Sequence, residues 1–303
     1  MFTGQHKDLI QGNSYDFCID IQEGKNRLDS VFKSVMDSID FTPYAKVVVQ
    51  GDTASAAAVA LSAFNHNCPV VHLEAGLRTY NLDHPYPEEA YRQIISRITS
   101  LHLCPTNLAK ERLIREMVSG KIAVVGNTAL DNLVGIETSY GDEIIITMHR
   151  RENHINMGEW FIEINKLAVD NQDLVFEIPL HPNPNVNKHK ELLTHVKVIN
   201  PLDYSDMVEK ISECRFLISD SGGIQEESSF LNKKVIVCRK ITERPESVGK
   251  HSFMCGEPRD LKGWFYSLKD NYEVDLECPY GDGKSSERIV NYLKEKIYGN
   301  SSS

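Results

Sequence analysis

Apolar runs of four to six residues alternate along this chain with longer segments of helical spacing. KVVVQ (Lys46–Gln50), VVHL (Val70–Leu73), Leu101–Cys104 and Ile122–Val125 read as short buried strands. Thr53–Asn65, Glu88–Ile98 and Asn107–Glu116 lie between them and have the length and periodicity of helices. The pattern pauses at a polar stretch, GIETSYGD (Gly135–Asp142), and restarts. Strands are then expected at Glu143–Met148, Val175–Pro179, Val196–Ile199, Phe216–Ser219 and Val235–Val237. Helices are expected at Met157–Val169, Asp203–Glu213 and Gly223–Leu231, with a last one around Ser285–Ile297. Repeated strand-then-helix units imply right-handed crossovers and parallel sheets with helices on both faces. The expected architecture is therefore α/β, with two Rossmann-like doubly wound domains facing a cleft. They are expected to span residues 1–136 and 137–284, with a terminal helix crossing back and a tail over residues 285–303.

Composition narrows the function without changing the fold. The chain has 303 residues, 41% of them hydrophobic and 25% charged, as in an ordinary globular protein of two domains. A net charge of −10 with no dense basic run argues against nucleic-acid binding, which needs a clustered cationic face. Cys18, Cys68, Cys104, Cys214, Cys238, Cys255 and Cys278 are odd in number and contain no C-x-x-C pair. They read as reduced, buried thiols of a cytoplasmic protein, not as a disulfide framework or a zinc site. No apolar stretch approaches the ~20 residues that cross a bilayer. The N-terminus lacks a basic region followed by an apolar one, so no signal peptide is expected.

Ligands of such sheets bind beyond the carboxyl ends of the strands, which ranks the polar residues. Gly51-Asp52-Thr53, Glu74-Ala75-Gly76-Leu77-Arg78, His149-Arg150-Arg151-Glu152, His181-Pro182-Asn183 and Ser219-Asp220-Ser221-Gly222-Gly223 each follow an expected strand. Singly, each has a plain structural reading: Asp52 as a helix cap, His181 as a turn residue. Together, over both domains, they favour a shared site. The Ser221-Gly222-Gly223 turn opens a helix, where free N–H groups suit phosphate oxygens, and Glu227 one turn on can accept from ribose hydroxyls. Asp52, Glu74, Glu88 and His149 form a plausible acid–base set for moving a proton at an unactivated carbon. GDGKS (Gly281–Ser285) ends like a P-loop, but the first glycine of that motif would fall at Cys278. No G-x-G-x-x-G, H-E-x-x-H or D-x-D occurs, so no redox cofactor and no metal is indicated, and His72, His84 and His102 are given no metal role.

Read together, these segments resemble a known family. QGDTASAAAVALSAF (Gln50–Phe64), HLEAGLRT (His72–Thr79), PYPEEAYRQ (Pro85–Gln93) and VGNTALD (Val125–Asp131) are similar to the first domain of the non-hydrolysing UDP-N-acetylglucosamine 2-epimerases. MHRREN (Met148–Asn153), PLHPNPNV (Pro179–Val186), SDSGGIQEE (Ser219–Glu227) and TERPE (Thr242–Glu246) are similar to the second domain. PYGDGKSSERI (Pro279–Ile289) resembles the crossover into the last helix. The resemblance implies a GT-B-like fold and interconversion of UDP-N-acetylglucosamine and UDP-N-acetylmannosamine through a 2-acetamidoglucal, without a cofactor. It implies that Asp52, Glu74 and Glu88 are the catalytic carboxylates and His149 the active-site histidine. Arg92 matches a position near the sugar phosphates, and His181 lies in the matched PLHPNPNV segment. Ser221, Gly222, Gly223, Glu227 and Arg244 match nucleotide-binding positions, and Leu202 and Met207 occupy the uracil-facing turn. A homodimer is implied, and Gln5 and His6 fall where some bacterial members contact an activating second substrate molecule. Which carboxylate takes the C2 proton stays open.

The resemblance departs at the beginning. FTGQHKDL (Phe2–Leu9) matches the family's second strand, so the opening strand and its Gly-Thr-Arg-Pro-Glu segment have no counterpart. The first sheet is expected to lack its central strand, between the segments near Phe2 and near Val47, with damage to folding and to nucleotide affinity. A start upstream of Met1, a strand from another polypeptide, and a shortened homologue with altered activity are the three open readings. Met207 stands where the family commonly has an aromatic residue, and a methionine can pack on uracil too. The competing functions are a GT-B glycosyltransferase, a truncated, weakly active or non-catalytic UDP-sugar-binding homologue, and hydrolytic release of N-acetylmannosamine.

Overall fold

The computed structural model describes residues 26–180 and 182–294 together with Ile19 and Ile21. The expectations for Gln5, His6, Cys18, His181 and the segment near Phe2 lie outside these residues. The chain divides into two compact units, Met1–Val125 with Arg288–Ser303, and Gly126–Glu287.

In the first unit the described elements are α1 (Arg27–Ser38), β1 (Val47–Gln50), α2 (Ala54–Asn65), β2 (Val70–Leu73), α3 (Glu88–Ile98), β3 (Leu101–Cys104), α4 (Asn107–Arg115) and β4 (Lys121–Val124). The strands form a parallel sheet in the order β1-β2-β3-β4. Among the described residues β1 pairs with β2 alone. The strand and helix positions agree with the apolar pattern to within a residue at each end. Helix α1 was not expected; Asn26 caps it by accepting from Leu28 N at 2.9 Å, and Val31 and Val35 bury against Val49 and α2. Helix α2 is built largely of alanine, the best helix former and a small one. Ala57, Ala58, Ala60 and Ala63 are fully buried, which lets α2 pack between α1 and α3 beside the sheet. Thr53 caps it by accepting from Ala56 N at 3.2 Å.

The sheet carries two buried histidines on adjacent strands, His72 and His102, in register. His72 Nε2 bonds to the Gly51 carbonyl at 2.8 Å, directly behind the turn that holds Asp52. Burial drives its imidazole from the usual 6.5 down to about 4, against the raising effect of the Gly51 bond. The folded state thus keeps His72 neutral while the unfolded chain takes a proton below pH 6.5. Stability from this site is full above pH 6.5 and is lost as pH falls towards 4, by about 3 kcal/mol. Urea midpoints measured between pH 7.5 and 4.5 should fall steeply for the wild type and less steeply for His72→Gln. Parallel curves for the two proteins would refute the assignment.

The second unit contains β5 (Glu143–Thr147), α5 (Met157–Asp170), β6 (Val175–Pro179), α6 (Pro184–Asn187), β7 (Lys197–Ile199), α7 (Tyr204–Glu213), β8 (Phe216–Ser219), α8 (Gly222–Phe230), β9 (Val235–Val237), β10 (Ser252–Met254), α9 (Leu261–Lys269) and the start of α10 (Ser285–Lys294). All neighbouring strands are parallel, in the order β10-β9-β8-β5-β6-β7. This is the doubly wound Rossmann order, and it reverses direction between β5 and β8, where the open crevice of such sheets lies. Strand β10 and helix α9 were not anticipated. Phe265 of α9 stacks on Phe176 with ring centroids 5.5 Å apart and is buried with Trp160, Phe161 and Phe216.

The change of unit falls at Gly126, ahead of the polar stretch at Gly135–Asp142. A short 3-10 helix, Thr128–Leu133, buries Leu130 and Leu133 with Ile145, Val208 and Leu217, so these residues belong to the second core. Residues of α10 from Arg288 onward belong to the first unit, where Ile289 packs with Val71 and Leu101. At the end of the GDGKS segment the N–H groups of Ser285 and Ser286 donate to the Asp131 carboxylate, at 2.9 and 2.6 Å, where a phosphate loop would offer them to a phosphate. No described helix is long and apolar enough to cross a membrane.

Candidate active site

In the first unit the polar residues gather at the carboxyl ends of β1 and β2. Asp52 follows β1 and Glu74 follows β2. Glu74 holds a left-handed backbone, φ +59°, which costs a non-glycine residue roughly 1 kcal/mol and is typical of strained functional positions. The strain turns its carboxylate back over the neighbouring strand end. Oε2 lies 3.2 Å from where a side chain on Gly51 would begin, and Oε1 accepts from Gln50 Nε2 at 3.2 Å. Glu74 is thereby brought against the turn that carries Asp52.

Helix α3 supplies the cation. Arg92 Nη2 pairs with Asp52 Oδ2 at 2.5 Å, with the arginine side chain 5% and the aspartate 25% exposed. Its other amino group reaches Glu89 Oε2 at 3.1 Å. Glu88 opens α3, one turn before Arg92 and half-buried, on the same side of the helix. Of the four residues grouped as an acid–base set, Asp52, Glu74 and Glu88 belong to this unit, while His149 belongs to the second.

In the second unit His149 follows β5 and the Ser221 turn follows β8, at the two strands flanking the reversal of order. Asp220, fully buried, joins them. Its carboxylate accepts from His149 N at 3.1 Å, Arg150 N at 3.0 Å and Asn153 Nδ2 at 3.0 Å. The His149 ring itself is more open, with Nδ1 3.9 Å from Asp220 Oδ1, beyond hydrogen-bond range.

Helix α8 begins at Gly222, and the Ser221 side chain makes no capping bond. Its first-turn N–H groups therefore lack a side-chain cap from Ser221, and the helix dipole adds positive character there. The Arg244 guanidinium lies over this start. A side-chain carbon on Gly222 would stand 2.5 Å from Arg244 Nη1, so a larger residue there would shift the guanidinium. Gly222 is buried and Gly223 exposed. Arg244 is held from behind by Glu226 at 2.8 Å and by Glu243. Glu243 also pairs with Arg239 at 3.1 Å, and Arg239 with Glu152 at 2.6 Å, which ties Arg244 to the loop after His149. Helix start and guanidinium lie together, and helix N–H groups beside an arginine are chemically suited to anion oxygens.

Glu227, half-buried on α8, has its carboxyl raised by burial. The Tyr204 phenol at the start of α7 is raised first by its own burial and then by the Glu227 charge. Leu202 is half-buried just before α7. Met207 packs against the core that contains Val208 and Ile224.

Four residues of this geometry were given no role from the sequence, Glu89, Glu226, Arg239 and Glu243, and Asp220 was named only within the strand end Ser219–Gly223. Asp220 had a usable signal, an acidic residue between a buried strand and a Ser-Gly-Gly turn. Glu89, Glu226, Arg239 and Glu243 had none, because charged residues beside catalytic candidates read as solvated surface until their burial is known.

A family model described as UDP-N-acetylglucosamine 2-epimerase matches residues 3–294. The UDP-N-acetylglucosamine 2-epimerase of Salmonella borreze is 34% identical, over 96% of this chain and 89% of its own. That of Campylobacter jejuni is 36% identical, over 96% and 88%. Among solved structures, the UDP-GlcNAc 2-epimerase from Neisseria meningitidis bound to UDP-GlcNAc superimposes with a TM-score of 0.83 at 33% identity, covering 92% of this chain and 85% of that one. The S. aureus MnaA–UDP structure gives 0.84 at 31% identity, covering 93% and 82%. The chain belongs to the UDP-N-acetylglucosamine 2-epimerase family.

Proposed function

We propose that this chain interconverts UDP-N-acetylglucosamine and UDP-N-acetylmannosamine by eliminating and re-adding UDP. The observation that carries this reading is the convergence of Asp52 and Glu74 at adjacent strand ends, with Arg92 on Asp52. Inverting C2 requires removing a proton from one face of an unactivated carbon and returning one on the other. A carboxylate takes the C2 proton. The C–H electron pair forms the C1–C2 double bond, and the bond from C1 to the UDP oxygen breaks, with its electron pair leaving on UDP. The product is 2-acetamidoglucal with UDP still held. UDP then attacks C1 as an acid delivers a proton to the opposite face of C2. Asp52, Glu74 and Glu88 supply the acid–base groups for both half-reactions.

The leaving group develops charge on its diphosphate, and stabilising that charge lowers the barrier. The α8 start, Arg244 and His149 are suited to this task, and Glu227 to the ribose. Leu202 and Met207 offer apolar surface for the uracil. His181 is assigned to the substrate on the resemblance alone. A homodimer working in the cytoplasm belongs to the same reading.

The test is incubation with UDP-N-acetylglucosamine in D2O, followed by proton NMR. UDP-N-acetylmannosamine carrying deuterium at C2 is the expected product. Free N-acetylmannosamine with accumulating UDP would indicate hydrolysis instead, and transfer to an added acceptor a glycosyltransferase. Binding without C2 exchange would defeat the enzymatic reading.

A further inference from the structure

From its burial and contacts we infer that Glu89 is a positioning residue, which sets Asp52 for the reaction through Arg92; this rests on the epimerase reading. Glu89 is fully buried on α3. Its Oε2 accepts from Thr79 N at 2.9 Å and from Arg92 Nη1 at 3.1 Å. Its Oε1 accepts from Tyr80 N at 3.2 Å and from Gln93 Nε2 at 2.9 Å. All four partners are donors, so only a carboxylate, which accepts at both oxygens, satisfies the site. A glutamine would turn its own amide N–H2 towards at least one of them.

Three consequences meet at this side chain. Through Arg92 it fixes the guanidinium whose other amino group reaches Asp52 at 2.5 Å. Through Thr79 and Tyr80 it pins the start of the loop that runs from the Glu74 turn into α3. As the residue after Glu88, it also anchors the first turn of the helix from which Glu88 projects. Arg92 thus sits between two carboxylates, one structural and buried, the other part-exposed and facing the reaction. Without Glu89 the guanidinium loses the buried carboxylate opposite Asp52, so its position against Asp52 is no longer set from that side.

A double-mutant cycle tests this directly. Deuterium incorporation at C2 is measured for the wild type, Glu89→Gln, Asp52→Asn and the double variant, with urea denaturation followed by circular dichroism giving the folded fraction of each. Glu89→Gln should lower kcat at least tenfold in the wild-type background, with KM within threefold. In the Asp52→Asn background it should lower the residual rate less than threefold, because the residue it acts through is already disabled. Equal fold losses in both backgrounds would show a merely structural role and overturn the inference. If Glu89→Gln does not fold, Glu89→Asp, which keeps the charge but shortens the reach to Arg92, is run in the same cycle under the same criterion. A wild-type chain without C2 exchange defeats the epimerase reading by itself. Multiplicative losses in an active enzyme defeat only the positioning role.

Discussion

Replacing Asp52 by Asn should lower the rate of C2 exchange about a thousandfold and leave UDP affinity within twofold. The substitution preserves shape and removes one negative charge and the capacity to carry a proton. Acid–base groups of this kind contribute roughly 10²–10⁴ in rate. The upper part of that range is expected because Asp52 is also the partner of Arg92, at 2.5 Å, so the change removes one of the two carboxylates paired with that cation. UDP affinity is expected to persist because the groups assigned to the nucleotide, Arg244 and the α8 start, belong to the second unit and are braced by Glu226 and Glu243. The measurements are NMR exchange rates and calorimetric titration with UDP. A variant within tenfold of wild-type activity, or one whose UDP affinity collapses along with its rate, would remove Asp52 from the chemistry.

Gly76→Ala should destabilise the protein by about 4 kcal/mol and abolish activity through folding. Gly76 has φ +87°, where a β-carbon costs ~1–2 kcal/mol from backbone sterics alone. That carbon would also stand 2.3 Å from the carbonyl oxygen of Ala109 in α4, and backbone cannot swing aside as a flexible side chain can. Forcing atoms into a packed interior adds ~1–3 kcal/mol. The position lies two residues beyond Glu74 and two before Arg78. Arg78 is itself buried, bonded to Glu116 at 2.8 Å and Ser96 at 2.7 Å. Relief of the clash would therefore displace the Glu74 turn on one side or the Arg78 network on the other. Urea denaturation of the variant is the check, and a loss under 1 kcal/mol would mean that α4 yields.

Much of this architecture was legible along the chain. The runs VVHL and EIIIT appear as strands because both faces of a parallel sheet are buried, so no alternation with polar residues is needed. Helix α2 is legible because alanine spacing and a Thr cap leave little else for that segment to form. The strand-end rule then marked Asp52, Glu74, His149 and Ser221 without coordinates, since β-strand direction and crossover handedness place such residues at one edge of a sheet. Helix α1 was legible but not read: Asn26 is a capping residue, and Leu28, Val31, Phe32 and Val35 recur at helical spacing. Strand β10 was not legible, because it is a three-residue strand stabilised by its pairing with β9.

By itself the sequence determined the class of fold, the order of its elements, and which polar residues stand at the carboxyl ends of strands. Only the tertiary structure decided how those residues are paired. It put Glu74 against Gly51, divided Arg92 between Asp52 and Glu89, laid Arg244 over the Gly222 helix start, and buried Asp220 under the His149 loop. It also moved the beginning of the second unit to Gly126, because Leu130 and Leu133 join its core. The physical reason is one of range. Backbone propensity and periodic burial act over a few neighbouring residues and are written locally. An ion pair or a close backbone approach joins positions tens of residues apart, and its partner is chosen by packing that no local pattern encodes.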